Sequence, residues 1–520
     1  MQENQPFADL VERWEAEEDD AALAKHIETA GIGEMQILQT VQWLLVNGKL
    51  ASGLFLSRYM VRCGKGQGNL IVGFARALDG IIRADPGETR AGLDVVSYII
   101  DHAPADLKTT VFRSLFLPAI RLPVLLGIAQ ADNHYILRLL DLFKAADPLM
   151  REIFDFSASA PPVDTAGMRQ RSRSRGPILE YASPPPGKPR RRRSVVVAMP
   201  RLYIPTHPKS RPNDSGPVTC AAMQDYGWDA HCHGVDFAPS VEDYVREMKG
   251  IADRCAEVGA DVLVFDDVGA RNPASHPLRD SFLRYLRGKL PAIKIIAAYL
   301  DPWAFDDETL IYGARSSDLV WAMSPSVGIW SHEAFRNKTF FLPIPRGPVP
   351  PTPPVFAPLP REMVFPGGIS EGSYHRAFWL AGAEAHGIPI RKVMSTHLSD
   401  GLDALASYRS FCDRMGETGC VLNLSMRVDH SLPMTARTFE ATLTGALLIQ
   451  ERSPDVDLFF TAGEHYLDFA TFAELKSAAT FLRDKPDEAE QIRRNGTEFA
   501  RARYSSDKVV GCLDHLLDAV

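Results

Sequence analysis

The sequence predicts two α/β domains with parallel sheets, preceded by an all-α region, and three observations carry that expectation. From residue 195 onward, continuous apolar runs alternate with amphipathic stretches, the pattern of strands buried on both faces between covering helices. A proline-rich stretch divides this alternation near its middle. Before residue 157 the apolar positions recur only at intervals of three and four, the spacing of one helix face. The 520 residues provide length for about three domains.

Residues 1–156 read as helices throughout. Ile37, Val41, Leu44 and Leu45 share a face, as do Leu54, Leu56, Tyr59 and Met60, and Asn47-Gly48, Gly64-Lys65-Gly66 and Asp85-Pro86-Gly87 punctuate them. A helical bundle is the simpler expectation. The helix-pair rhythm also resembles tetratricopeptide-type arrays, although no repeat signature stands in register. Residues 157–194 turn Ser, Pro and Arg rich: positions 169–194 hold nine Lys or Arg against one acid, Glu180, and include Pro184-Pro185-Pro186 and Arg190-Arg191-Arg192-Arg193. Without periodicity, and with little apolar surface to offset ordering entropy, this stretch is expected to be a flexible linker. Its charge also suits local contact with an anionic membrane, a nucleic acid or an acidic partner.

Residues 195–345 supply the first α/β unit. Val195-Val196-Val197-Ala198-Met199, the run from Asp261 to Asp266, that from Lys294 to Asp301 and that from Asp318 to Met323 are its strands, making a Rossmann-like unit. Nine prolines between positions 343 and 360 forbid helix and central strand alike, so 346–360 is a stiff linker. A second Rossmann-like unit fills 361–520, with strands at Met363-Val364-Phe365, from Ile390 to Met394, from Cys420 to Leu424 and from Gly445 to Ile449. Two such units leave a cleft, and ligands of open parallel sheets sit beyond the strand carboxyl ends.

Composition narrows the function classes. The chain carries 57 Lys or Arg and 65 Asp or Glu, a net charge of −8, and once the basic stretch is set aside the remainder is strongly acidic. Such a body repels nucleic acid, so no nucleic-acid partner is expected. Seven scattered cysteines without a CxxC pair fit reduced thiols in a cytoplasm. Eight acids among the first twenty residues oppose an export signal. The most apolar neighbourhood, 111–129, is interrupted by Arg113, Pro118, Arg121 and Pro123, so no transmembrane helix is expected.

Two sites suit an anionic ligand. In Phe365-Pro366-Gly367-Gly368-Ile369-Ser370-Glu371-Gly372-Ser373-Tyr374-His375-Arg376 a strand ends in glycines and runs into a helix. Glycine allows close backbone approach to a diphosphate, the helix start offers free N–H groups, and Arg376 adds charge. The plain alternative is a tight strand-to-helix turn. In the second site, Ser431 or Thr435 can cap a helix that places Arg437 and Glu440 on one face. The carboxylate suits two vicinal ribose hydroxyls and the guanidinium a phosphate, against the plain alternative of a surface ion pair worth ~0.2–0.5 kcal/mol. For a general base, the carboxylates at strand ends are Asp266-Asp267 and Asp301, each equally able to cap the next helix. His207 is a further loop candidate. The triplet His231-Cys232-His233 invites a metal, but strand alternation sends both His to one face and Cys to the other, so no metal is expected.

Arg437-x-Phe439-Glu440 followed by Gly445-Ala446-Leu447-Leu448, with Phe460-Thr461-Ala462-Gly463-Glu464-His465, Phe472-Ala473-Glu474-Leu475, Ile492-Arg493-Arg494-Asn495-Gly496 and Arg503-Tyr504-Ser505, resembles the carboxyl-terminal domain of GT-B glycosyltransferases, in the branch similar to the spore-maturation protein CgeB. The resemblance spans about 361–520, is plausible in architecture over 195–345, and leaves out the helical region. It implies a nucleotide diphosphate sugar as donor, held by the second Rossmann-like domain, with the acceptor on the first. It places the ribose on Glu440, the diphosphate on Gly367 and Gly368, and its charge on Arg376 or Arg437. Asp301, ranked before Asp266 as base, resembles an acidic position of CgeB-like proteins, and the loop Asn213-Asp214-Ser215-Gly216-Pro217 resembles one lining the acceptor side, where Gly216 permits close approach. The fold usually works without a bound metal or any cofactor beyond the donor. Retaining relatives often carry E-x7-E ending at the Glu440 position, yet Leu432 stands where its first glutamate belongs. A hexosyltransferase-like enzyme acting on a glycan or protein, selected by the helical region, is therefore expected. A nucleotide-sugar-binding scaffold with a lapsed site is the alternative, and a sugar-nucleotide epimerase of the same fold is a third.

Overall fold

A computed structural model describes residues 5–17, 19–47, 49, 51–53, 55–56, 59, 137, 140–141, 144, 148–176, 178, 192–202, 211–212, 215–235, 240–266, 276–299, 307–345, 354, 356–360, 362–367, 375–393, 404–427 and 431–520. By their contacts these form two compact units, Met1–Ala158 with Ile369–Gly387, and Ser159–Gly368 with Ile388–Val520.

The first unit is helical where described. Helices Gln5–Ala16, Asp20–Ala30 and Glu34–Val46 bury Phe7, Val11, Leu23, Val41 and Leu44, the positions the three-and-four spacing selects. Asp19 caps the second helix by accepting the Ala22 N–H at 2.9 Å, and Gly31 ends it in the left-handed region. Phe154, after helix Pro148–Ile153, packs against Phe378 and Trp379 of helix His375–Ala385 with ring centroids 6.0 and 4.7 Å apart.

The second unit holds both expected parallel sheets. The first comprises β1 (Ser194–Leu202), β2 (Arg211–Pro212), β3 (Asp229–Val235), β4 (Val262–Phe265), β5 (Lys294–Tyr299), β6 (Leu319–Ala322) and β7 (Thr339–Phe341). Its parallel strands run β3-β1-β4-β5-β6-β7, and β2 pairs antiparallel with the end of β1. The second comprises β8 (Met363–Pro366), β9 (Ile390–Val393), β10 (Cys420–Asn423), β11 (Leu447–Glu451) and β12 (Leu467–Phe469), ordered β9-β8-β10-β11-β12 and parallel throughout. Strands β4, β10 and β11 are buried along their whole length, which accounts for the apolar runs Val262-Leu263-Val264-Phe265, Cys420-Val421-Leu422 and Leu447-Leu448-Ile449. In each sheet the chain leaves one strand to one side and later returns to its other side. Crevices therefore open at the carboxyl ends, between β1 and β4 and between β8 and β10.

Helix Ser506–Asp518 follows the second sheet in the chain and packs against helix Ser215–Tyr226 of the first. Arg193, the last of the four-arginine run, is buried there. Its Nε donates to Asp514 Oδ1 and its Nη2 to Asp518 Oδ1, both at 2.6 Å. Asp455, after β11, accepts the Ser326 N–H at 2.8 Å, and its burial raises the carboxyl pKa.

The basic stretch departs from the flexible linker expected of it. Residues Thr165–Ser174 form a helix capped by Asp164, which accepts the Gly167 N–H at 2.8 Å. Arg169 donates to the Gly463 carbonyl at 3.0 Å, Arg171 pairs with Asp468 at 3.1 Å, Arg173 with Glu464 at 2.8 Å and Arg175 with Asp457 at 3.1 Å. Met168 and Ser172 are buried, and Ser172 Oγ donates to the Phe460 carbonyl and accepts the Ala462 N–H. The helix offsets its ordering entropy with partners nearly 300 residues away, which composition within the segment does not reveal.

Candidate functional site

The crevice of the second sheet collects the residues of the Arg437 and Glu440 region. Helix Ala436–Thr444 begins at the carboxyl end of β10, where Asn423 Nδ2 donates to Thr435 Oγ1 at 2.9 Å. Arg437 is in the first turn and Glu440 one turn on, with Nε and Oε2 3.5 Å apart. The Arg437 guanidinium lies over the Phe411 ring, 5.2 Å from its centroid. It also crosses the chain leaving β8: a methyl group at Gly367 would sit 3.1 Å from Arg437 Nη1 and 3.0 Å from Phe365 Cζ. Absence of a side chain at Gly367 is what admits the guanidinium. The structure thus brings Gly367, Arg437 and Glu440 together. Glu440 is buried, whereas Arg437 keeps a fifth of its side chain open to solvent.

Thr435 occupies the N-cap with the extended backbone of that position, but its hydroxyl makes no capping bond. The Thr438 N–H turns back to the Thr435 carbonyl at 3.1 Å instead, so the helix start stands beside the guanidinium with no side-chain cap from Thr435, and its positive dipole end suits a phosphate. Behind it lies a polar network that the sequence reading did not single out. Asn423 Nδ2 also donates to Gln450 Oε1 at 2.7 Å, across the β10–β11 register, and Thr438 Oγ1 donates to the same oxygen at 3.1 Å. Gln450 Nε2 donates to the Glu451 carbonyl at 2.8 Å and to Ser425 Oγ at 3.3 Å. Glu451 Oε2 accepts the N–H groups of Ser425 and Met426 at 2.6 and 2.8 Å, fixing the loop that leaves β10. The available signal was a polar residue ending an apolar strand, Asn423 after Cys420-Val421-Leu422, because a buried amide needs partners.

The other predicted residues belong to other elements or lie outside the described residues. Arg376 is the second residue of helix His375–Ala385 in the first unit. Gly368, Asp301, Asp267 and His207 lie outside the described residues. Asp266 follows β4 directly and is buried, its N–H donating to the Ala198 carbonyl at 2.9 Å, which sets it in the crevice between β1 and β4. Gly216 is buried in the first turn of helix Ser215–Tyr226, where a methyl group would meet Cys232 Sγ at 3.1 Å and Met199 Cβ at 3.4 Å. Close packing of that helix on the sheet therefore uses its small size. On β3, His233 faces Gly250 and His231 faces Arg254, both on helix Val241–Glu257, whereas Cys232 faces Gly216 on the opposite side. The two imidazoles and the thiol are splayed as strand alternation dictates. Leu432 stands eight positions before Glu440, and its carbonyl accepts the Ser453 hydroxyl at 2.5 Å.

Among the described residues no helix is long and apolar enough to cross a membrane. Residues 392–513 match a protein-family model described as glycosyl transferase-like. Comparison with curated proteins gives no match. Similar solved structures include HepE of Anabaena in complex with UDP and glucose, at 10% identity and a TM-score of 0.44 over 63% of this chain and 100% of that one. They also include the sucrose-phosphate synthase of Thermosynechococcus elongatus, at 13% and 0.41 over 63% and 100%. A glycosyltransferase from Rickettsia africae is similar at 13% and 0.39 over 63% and 97%.

Proposed function

We propose that the chain is a glycosyltransferase of the GT-B type, in the CgeB-like branch, moving a sugar from a nucleotide diphosphate sugar to a hydroxyl of a glycan or protein. The observation that carries this reading is the convergence of Gly367, Arg437 and Glu440 at an uncapped helix start, inside a crevice between parallel strands. In this reading the donor diphosphate lies across Gly367 and Gly368, against the start of helix Ala436–Thr444 and Arg437. Glu440 accepts the ribose hydroxyls. As the bond between the anomeric carbon and the diphosphate breaks, the charge left on the leaving oxygen is met by the helix start and Arg437, with no resident metal. Asp266 or Asp301 takes the proton of the acceptor hydroxyl, whose oxygen forms the new bond to the anomeric carbon. Gly216 borders the acceptor, the helical region selects it, and the cytoplasm is the setting.

The test incubates the full chain with a panel of UDP-, GDP-, ADP- and dTDP-sugars and measures release of free nucleoside diphosphate with and without glycan acceptors. Release by the native chain, and its loss in Glu440→Ala with at least tenfold weaker nucleotide binding, is the expected result. Unchanged binding and turnover in Glu440→Ala overturns the assignment. Leu432 at the place of the missing glutamate favours a second reading, a nucleotide-sugar-binding scaffold, which the same assay reports as binding without release.

A further inference from the structure

A cavity of about 790 Å³ lies where the arginine-rich helix Thr165–Ser174 docks, lined by Arg173 of that helix and by Thr461, Glu464, His465, Phe499 and Arg503. Its volume is that of a small-molecule site, and none of these six residues belongs to the Gly367, Arg437 and Glu440 cluster. His465 is only 7% exposed, its ring stacked on Phe499 with centroids 4.1 Å apart. Its Nδ1 accepts the Thr461 N–H at 3.0 Å, which places the hydrogen of the neutral ring on Nε2. Burial keeps the ring neutral at pH 7, its pKa lowered to about 4. The Nε2–H makes no hydrogen bond among the described residues: Glu464 Oε1 stands 4.0 Å away, beyond bonding distance. A buried donor left in this way is costly until a ligand meets it. Two cations stand beside it. Arg173 spends one of its five donors on Glu464, at 2.8 Å in an exposed pair of a kind that is weak and easily shared. The Arg503 guanidinium lies 4.9 Å from the centre of the Phe499 ring.

We propose that this cavity binds a small phosphate monoester, its dianionic head held between Arg173, Arg503 and the His465 Nε2–H. Three donors on three separate segments suit the three free oxygens of such a head, where a carboxylate presents two. Bare phosphate would fill a small part of the space. The Thr461 hydroxyl and the Glu464 carboxylate, which also face it, suit the hydroxyl groups of a sugar or nucleoside body. Because Arg173 belongs to the helix and His465 and Arg503 to the domain beneath it, the ligand bridges the two and adds to the stability of the docked helix alone.

Isothermal titration of the full chain with glucose 1-phosphate, UMP and inorganic phosphate tests this, the tighter of the two esters then serving as the probe. That ester is expected to bind more tightly than inorganic phosphate, a tighter glucose 1-phosphate marking a sugar body and a tighter UMP a nucleoside. Timed trypsin digestion locates it. At about nine times the Kd the docked helix gains a factor of about ten, so cuts after Arg169 and Arg171 are expected to slow roughly tenfold. Arg173→Ala removes a charged contact, and His465→Asn keeps an acceptor for the Thr461 N–H while losing the Nε2 donor. Each is expected to weaken binding at least about tenfold and to abolish the protection at the same ester concentration. Where either variant does not fold, Arg503→Gln takes its place with the same expectation. Neither ester binding, inorganic phosphate binding as tightly as both, native affinity in the variants, or unprotected cuts at saturating ester overturns the proposal. A phosphate ester held in the crevice at Arg437 gives the last two of these results.

Discussion

Replacing Gly463 by alanine is expected to release the arginine-rich helix Thr165–Ser174 from the domain it docks on. Gly463 has φ +72°, a conformation that costs a residue with a side chain about 1–2 kcal/mol. A methyl group there would also sit 2.4 Å from the Thr165 carbonyl oxygen and 3.0 Å from Met168 Cβ. Relieving that overlap moves the helix outward by about 1 Å, past ordinary van der Waals contact. The bonds of Ser172 Oγ to the Phe460 carbonyl and the Ala462 N–H, already 3.3 and 3.2 Å, then break, as does that of Arg169 to the Gly463 carbonyl. Three bonds at about 1 kcal/mol each shift the docking equilibrium toward the undocked helix by roughly 3 kcal/mol, the left-handed cost falling on docked and undocked states alike. Cleavage follows the open population, at a factor of ten per ~1.4 kcal/mol, so trypsin is expected to cut after Arg169, Arg171 and Arg173 at least about 100-fold faster. Mass spectrometry of timed digests measures these cuts. Gly463→Asn, which tolerates the left-handed backbone but carries the same Cβ, should release the helix as well. Native rates at these three arginines in both variants would refute the docking argument.

Two further perturbations address charge in the folded chain. Burial, aided by Arg173 and Arg503, lowers the His465 pKa to about 4, and its Nδ1 accepts the Thr461 N–H at 3.0 Å. A folded value below the unfolded one means that this stability is complete above about pH 6.5 and is lost as pH falls from there to about 4, by roughly 3 kcal/mol. Urea unfolding of the native chain and His465→Gln at pH 7 and pH 4.5 checks it, since the variant should lose most of that difference and an unchanged difference would contradict it. Arg193→Ala strands Asp514 without its partner and should lower the unfolding free energy by about 3–5 kcal/mol, measured by chemical denaturation. A change below 1 kcal/mol would show that the two aspartates are solvated without it.

The sequence by itself determined the two parallel sheets and the place of the helix start that carries Arg437 and Glu440. Those features are written in local periodicity: a strand buried on both faces must be continuously apolar, and residues three apart on a helix must share a face. Even the splay of His231 and His233 away from Cys232 follows from the two-residue period of a strand. Only the tertiary structure decided what the polar and charged residues do. An arginine-rich stretch reads as a solvated linker until Asp457, Glu464 and Asp468, nearly 300 residues on, supply its partners. Likewise Thr435 reads as a helix cap, and Asn423 as an interruption of an apolar strand, until adjacent strands set Asn423 beside Gln450 and turn the hydroxyl away. Apolar burial is non-directional and leaves its record in pattern, whereas a hydrogen bond or an ion pair depends on a partner within about 3 Å, which only the folded chain brings there.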